Sequence, residues 1–155
     1  MSNSQAVCTS FKQEILLGKH QLGSVTLVSR TSLTAPTTDT FKAALYLASA
    51  TVNASTTAYS ATNEVSGTGY TAAGTAFTWV APSTSGTTAF TTPSAAIAWT
   101  TVTLATAFDA VLLYNVTQSN AAVAVYTFGS QTVTAGNFTL NMPTNDSTTG
   151  LLRIA

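Results

Sequence analysis

The stretch that decides the fold is Val111-Leu112-Leu113-Tyr114, followed after Gln118-Ser119-Asn120 by Ala121-Ala122-Val123-Ala124-Val125-Tyr126-Thr127-Phe128. Side chains alternate across a strand, so a run that stays apolar on successive residues has two faces to bury. Such strands lie at the centre of a sheet, or their outer face is covered by another subunit. Gln118-Ser119-Asn120 is short enough to join the two runs as a hairpin.

Around this pair the residue types remain those of strands. Thr alone accounts for 32 of the 155 residues. It is β-branched and stiff at χ1, favours extended backbone, and is polar enough to face water. Strands are predicted near 24–29, 40–48, 75–80, 96–104, 110–117, 121–128 and 137–142, with a short one at 151–154. Phe138, Leu140 and Met142 alternate with Asn137, Thr139 and Asn141, which gives one buried and one wet face. Phe41, Ala43, Leu45 and Leu47 do the same against Lys42 and Tyr46. Turn clusters fall at Thr34–Asp39, Asn53–Thr57, Ser66–Gly74, Pro82–Thr88, Thr134–Asn137 and Pro143–Gly150. Strands and turns at this spacing predict an all-β fold, an antiparallel β-sandwich of jelly-roll or immunoglobulin-like order. One helix is predicted over residues 9–22. Thr9 or Ser10 caps it, Phe11, Ile15 and Leu22 share a face, and Gly18 cuts it short. The expected organisation is an N-terminal arm, 1–22, carrying this short helix, and a single sandwich domain, 23–155.

Charge is the scarce commodity. Charged residues make up 6% of the chain, five cations balance five acids, and Asp109 is the only charge between Val65 and Asn145. An ordinary soluble domain carries about 25%. A nucleic-acid binder needs several Lys or Arg on one face, and this composition excludes that mode. One His and one Cys are too few for a Cys/His zinc site and leave no internal disulfide. No basic, apolar signal segment opens the sequence, and no window approaches 18 apolar residues. The expectation is a chain made and used without export, with no membrane partner and no cofactor.

The motifs that carry chemistry elsewhere are weak here. Gly67-Thr68-Gly69-Tyr70-Thr71-Ala72 formally fits the dinucleotide fingerprint. It lacks a strong strand before it, a helix after it, and an acid about 20 residues on, so it reads as a glycine turn. His20 beside Lys19 suits a helix C-terminus or an interface better than a catalytic base. Cys8 just ahead of the helix reads as a small buried hydrophobe rather than a nucleophile. Glu14, Asp39, Glu64, Asp109 and Asp146 are scattered and read as surface or turn acids rather than a hydrolytic pair. Trp79, Trp99, Tyr59 and Tyr70 are candidates for a sugar-stacking platform, with core or interface use the stronger reading. Sequons at Asn53, Asn115, Asn137 and Asn145 arise readily in a Thr-rich chain.

Three segments of the N-terminal half carry a resemblance: Cys8-Thr-Ser-Phe-Lys-Gln-Glu-Ile-Leu16 with Gly18 and His20, Asp39-Thr-Phe-Lys-Ala-Ala-Leu-Tyr46, and Thr57 to Thr71. Leu113-Tyr114-Asn115, Ala122 to Gly129, Ala135 to Leu140 and Leu152-Arg153-Ile154-Ala155 extend it through the C-terminal half. In these segments the chain resembles small virion structural proteins of tailed bacteriophages. The resemblance implies a non-enzymatic particle component, in first place a capsid decoration or cement protein. The resemblance implies a protein that bridges major capsid protein subunits on the capsid surface after synthesis in the host cytoplasm, as a homo-oligomer for which it suggests a trimer. The alternatives are a tail or fibre protein and a carbohydrate-binding sandwich. Composition points the same way, since zero net charge favours self-association and few ions make contacts cheap to dry. The expected interface is Phe11, Ile15, Leu16 and His20 on the arm, with Leu112, Tyr114 and Tyr126 on the two apolar strands. The arm is expected to lie on the shell or on a neighbouring subunit.

Overall fold

The computed structural model describes residues 3–16, 19–20, 22–23 and 37–155, with the backbone alone at Leu16. The expected strand at 24–29 and the helix stop at Gly18 lie outside the described residues. The described residues form two open antiparallel sheets, a β-sandwich with one short N-terminal helix. Its elements are β1 (Ala6–Val7), α1 (Thr9–Leu16), β2 (Phe41–Leu47), β3 (Thr75–Phe77), β4 (Ser83–Ser85), β5 (Thr88–Thr91), β6 (Ile97–Asn115), β7 (Ala121–Leu140) and β8 (Leu152–Ile154). The five-stranded sheet runs β1-β7-β6-β2-β3 and the three-stranded sheet β4-β5-β8.

The spine is the β6–β7 hairpin, 19 and 20 residues long. It replaces four of the expected strands with two. The expected break between 104 and 110 is a run of register shifts, in which Leu104 pairs with Val133 and Phe108 with Gln131. The expected turn at Thr134–Asn137 lies inside β7, where Ala135 takes a positive φ of 46°. Extra residues absorbed as bulges bend and twist a strand without ending it. The hairpin closes where Ser119 and Asn120 both take positive φ and the Ala121 amide donates to the Gln118 carbonyl. Two consecutive left-handed residues match the twist of the flanking strands.

The root of this hairpin is buried on both sides. On one face Ala44, Tyr46, Ala110, Leu112 and Tyr114 are aligned by the β2–β6 register. The segment 48–74 covers them: Tyr59 stacks on Tyr114 at 4.8 Å, and the Tyr114 hydroxyl donates to the Ala73 carbonyl. On the other face are Phe41, Leu45, Val111, Leu113 and Tyr126. There the Tyr126 hydroxyl donates to the Leu151 carbonyl, and Phe41 packs against Phe77 and Trp79. The double apolar runs are therefore central strands of this chain's own core.

The N-terminal segment belongs to the same body. β1 pairs with Val125 and Ala124, and the Cys8 amide continues the ladder to Val123. Asn3 bonds Leu47, Val52 and Asp109. The part of the arm from Asn3 to Leu16 thus packs on its own sheet. The helix starts at Thr9 as expected, but Cys8 holds the cap position: the Lys12 amide donates to the Cys8 carbonyl, and the Ser10 hydroxyl is buried without a partner among the described residues. Neither Thr9 nor Ser10 acts as the cap.

Close backbone approach explains the glycine motif. A Cβ on Gly67 would stand 2.0 Å from the Thr103 carbonyl oxygen, and one on Gly69 2.4 Å from that of Thr101. Between them the Thr68 carbonyl accepts from the Thr103 amide at 2.9 Å. The glycines press a loop flat against β6, and no helix follows.

Candidate interaction surface

The seven expected interface residues have different fates. Phe11, Leu112 and Tyr114 are 1% exposed or less, so their surface is spent inside the chain and none remains for a partner. This corrects their assignment, and the reason is the cover supplied by α1 and by segment 48–74. Tyr126 is half-buried with its hydroxyl tied to Leu151. Ile15 is half-buried, and the Leu16 side chain lies outside the described set.

His20 sits in a polar relay that joins the N-terminal segment to the hairpin root. Its imidazole is fully buried, with the ring of Phe11 4.7 Å away. Asn115 Nδ2 donates to Asp39 Oδ2 at 2.6 Å and reaches His20 Nδ1 at 3.0 Å. His20 Nε2 meets Glu14 Oε2 at 2.6 Å, and Lys19 binds the other Glu14 oxygen. The Gln118 amide donates to Asn115 Oδ1, so the Asn115 amide is fixed with its NH2 toward Asp39 and His20. Nδ1 of His20 therefore accepts, and Nε2 carries the proton given to Glu14. Burial pulls the Glu14 carboxyl upward, but the hydrogen bonds from Lys19 and His20 and the charge of Lys19 outweigh it and leave it below its usual value.

The other groups with chemical potential are similarly engaged. Burial pushes the Cys8 thiol up to about 11, and it faces the Asn53 carbonyl. A thiol held protonated is a poor nucleophile. Glu64 accepts from Tyr59 and Tyr70 at 2.6 and 2.7 Å. Asp109 accepts from Asn3, and Asp146 accepts from Thr148 and Thr149 of its own turn, which hold its carboxyl down at about 2. Trp79 and Trp99 are each 5% exposed, so with the two tyrosines tied to Glu64 no open stacking platform forms. No group of three metal-ligating side chains gathers among the described residues. No helix among them is long and apolar enough to cross a membrane.

An apolar groove of about 450 Å³ lies open between α1 and the three-stranded sheet. Ile15 and Leu22 form one wall, and Phe90, Leu152 and Ile154 form the other. Lys12 and Arg153 are its only ionised side chains among the described residues. Ile154 is 59% exposed, the large hydrophobic most open to solvent among the described residues. The signal for this site is non-local, since its walls come from the two ends of the sequence and from the segment around Phe90. Comparison with family models, curated proteins and solved structures finds no match for the chain.

Proposed function

We propose that the chain is a structural protein of a tailed-phage particle, a cement protein that bridges major capsid protein subunits on the head and performs no catalytic step. The observation that carries this reading is the near-absence of ions on the spine of the fold. From Ile97 to Leu140 the outward positions are Thr, Ser, Asn, Gln, Ala and Gly, and the one charge, Asp109, is bonded to Asn3. Neutral hydroxyl and amide surface is cheaper to dry than ionised surface, so large contacts form without the desolvation cost of ions. The resemblance of segments along the chain to small virion proteins supports the same reading. Copy number tests it: quantitative mass spectrometry of purified particles is expected to find hundreds of copies per head. A few copies would place the protein in the tail or a fibre instead. Absence from particles would overturn the proposal, and glycan binding that quenches Trp fluorescence would favour a carbohydrate-binding module.

A further inference from the structure

We infer that the groove between α1 and the three-stranded sheet receives an extended apolar segment of the lattice protein, flanked by Asp or Glu, an inference that rests on the particle reading above. Three features converge on it. β8 lines the groove through Leu152, Arg153 and Ile154. β8 is the last strand of β4-β5-β8, so its outer backbone groups have no ladder partner among the described residues. An extended segment laid there gains main-chain hydrogen bonds as well as apolar contact.

The walls supply the second feature. Ile154 is held open at the groove while the large hydrophobics of the spine are buried or half-buried. The cavity has the volume of about fifteen waters, enough for a short run of apolar side chains to displace them.

Charge supplies the third. Two of the chain's five cations, Lys12 and Arg153, stand on the groove, Arg153 also donating to the Thr148 carbonyl, and no acidic side chain among the described residues lines it. Glu14, the acid on α1, is occupied by Lys19 and His20. Acidic flanks on the incoming segment complement these cations, whereas a second copy of this chain would bring the same cations to the same place.

The test uses undecorated shells, purified from particles lacking this protein, and the full chain. Ile154→Glu is expected to weaken shell binding at least tenfold while leaving the melting temperature unchanged, since the side chain is already exposed. Wild-type binding is expected to weaken between 50 and 500 mM NaCl, about the range over which screening sets in. Lys12→Gln with Arg153→Gln is expected to lower affinity and flatten that salt dependence, and Lys12→Arg to retain it. A photo-crosslinking residue at position 154 is expected to capture a lattice peptide with acidic flanks, a readout that holds even if a substitution disturbs folding. If wild type binds shells and these variants bind equally well, the groove is the wrong surface and the particle reading survives. Capture of a second copy of this chain at position 154 also overturns the inference. If wild type itself ignores shells, the particle reading fails first.

Discussion

The root and the distal half of the β6–β7 hairpin are built from one continuous pair of strands, yet they solve different problems. At the root, residues 110–115 and 121–125 are buried on every side. In the distal half, Ile97, Trp99, Val102 and Leu104 are buried while Ala98, Thr100, Thr101 and Ala105 are exposed. The root is the middle layer of a sandwich, covered by the tyrosine-rich segment 48–74 on one side and by the second sheet and Leu151 on the other. The distal half has one apolar side, where Trp99, Phe108, Phe128 and Phe138 pack edge to face or tilted at 4.9–5.9 Å. The lesson is that stability is concentrated at the root, while the distal half exposes much of the neutral hydroxyl surface available for contact.

Substitutions can break this division. Leu112→Ala is expected to cost about 2–5 kcal/mol, because Leu112 is fully buried and its site is clamped from both faces. Urea unfolding checks this, and a cost under about 1 kcal/mol would mean the root is not the stabilising centre.

Alkali separates the halves next. All five tyrosines lie on or against the root, and burial raises each above its ordinary value of about 10, Tyr46 and Tyr114 to about 12. Glu64 adds to the rise for its neighbours Tyr59 and Tyr70. A folded-state pKa above the unfolded one means that the contribution is fully present below pH 10 and is lost as pH climbs from 10 to 12. Melting temperatures are therefore expected to fall across that window and to stay flat between pH 7 and 8, the buried Cys8 thiol, raised to about 11, adding to the fall from about pH 9 upward.

Phe138→Ala comes third, at about 1–2 kcal/mol, since Phe138 is half-buried but meets three rings. The near-UV signal of Trp99 is expected to change with it. Thr132→Ala, on the exposed distal side of β7, is expected to stay within about 0.5 kcal/mol.

The same contrast explains what could be read from residue order. The root is legible because double-sided apolar runs have no other use in a sheet, and the distal end is legible from the alternation of Phe138 and Leu140 with Asn137 and Thr139. The middle is not: between Leu104 and Phe108 four steps on β6 face two on β7, so the period of two is broken where the strands in fact continue. Whether the root's second face is covered by the same chain or another was equally undetermined, because apolar pattern carries no identity of the partner. Segment 48–74 has no strand pattern of its own, yet its tyrosines supply that cover. The relay of His20, Asp39 and Asn115, and the groove joining Lys12 to Arg153, are assembled from distant positions by packing alone.

The central claim is that this nearly ion-free surface serves permanent contact in a particle rather than turnover of a substrate. Its most direct measurement is a reconstruction of the intact particle with the copy number counted in the same sample. The account predicts density for this fold repeated hundreds of times on the head, seated between capsid subunits. A particle that lacks the protein altogether would contradict it.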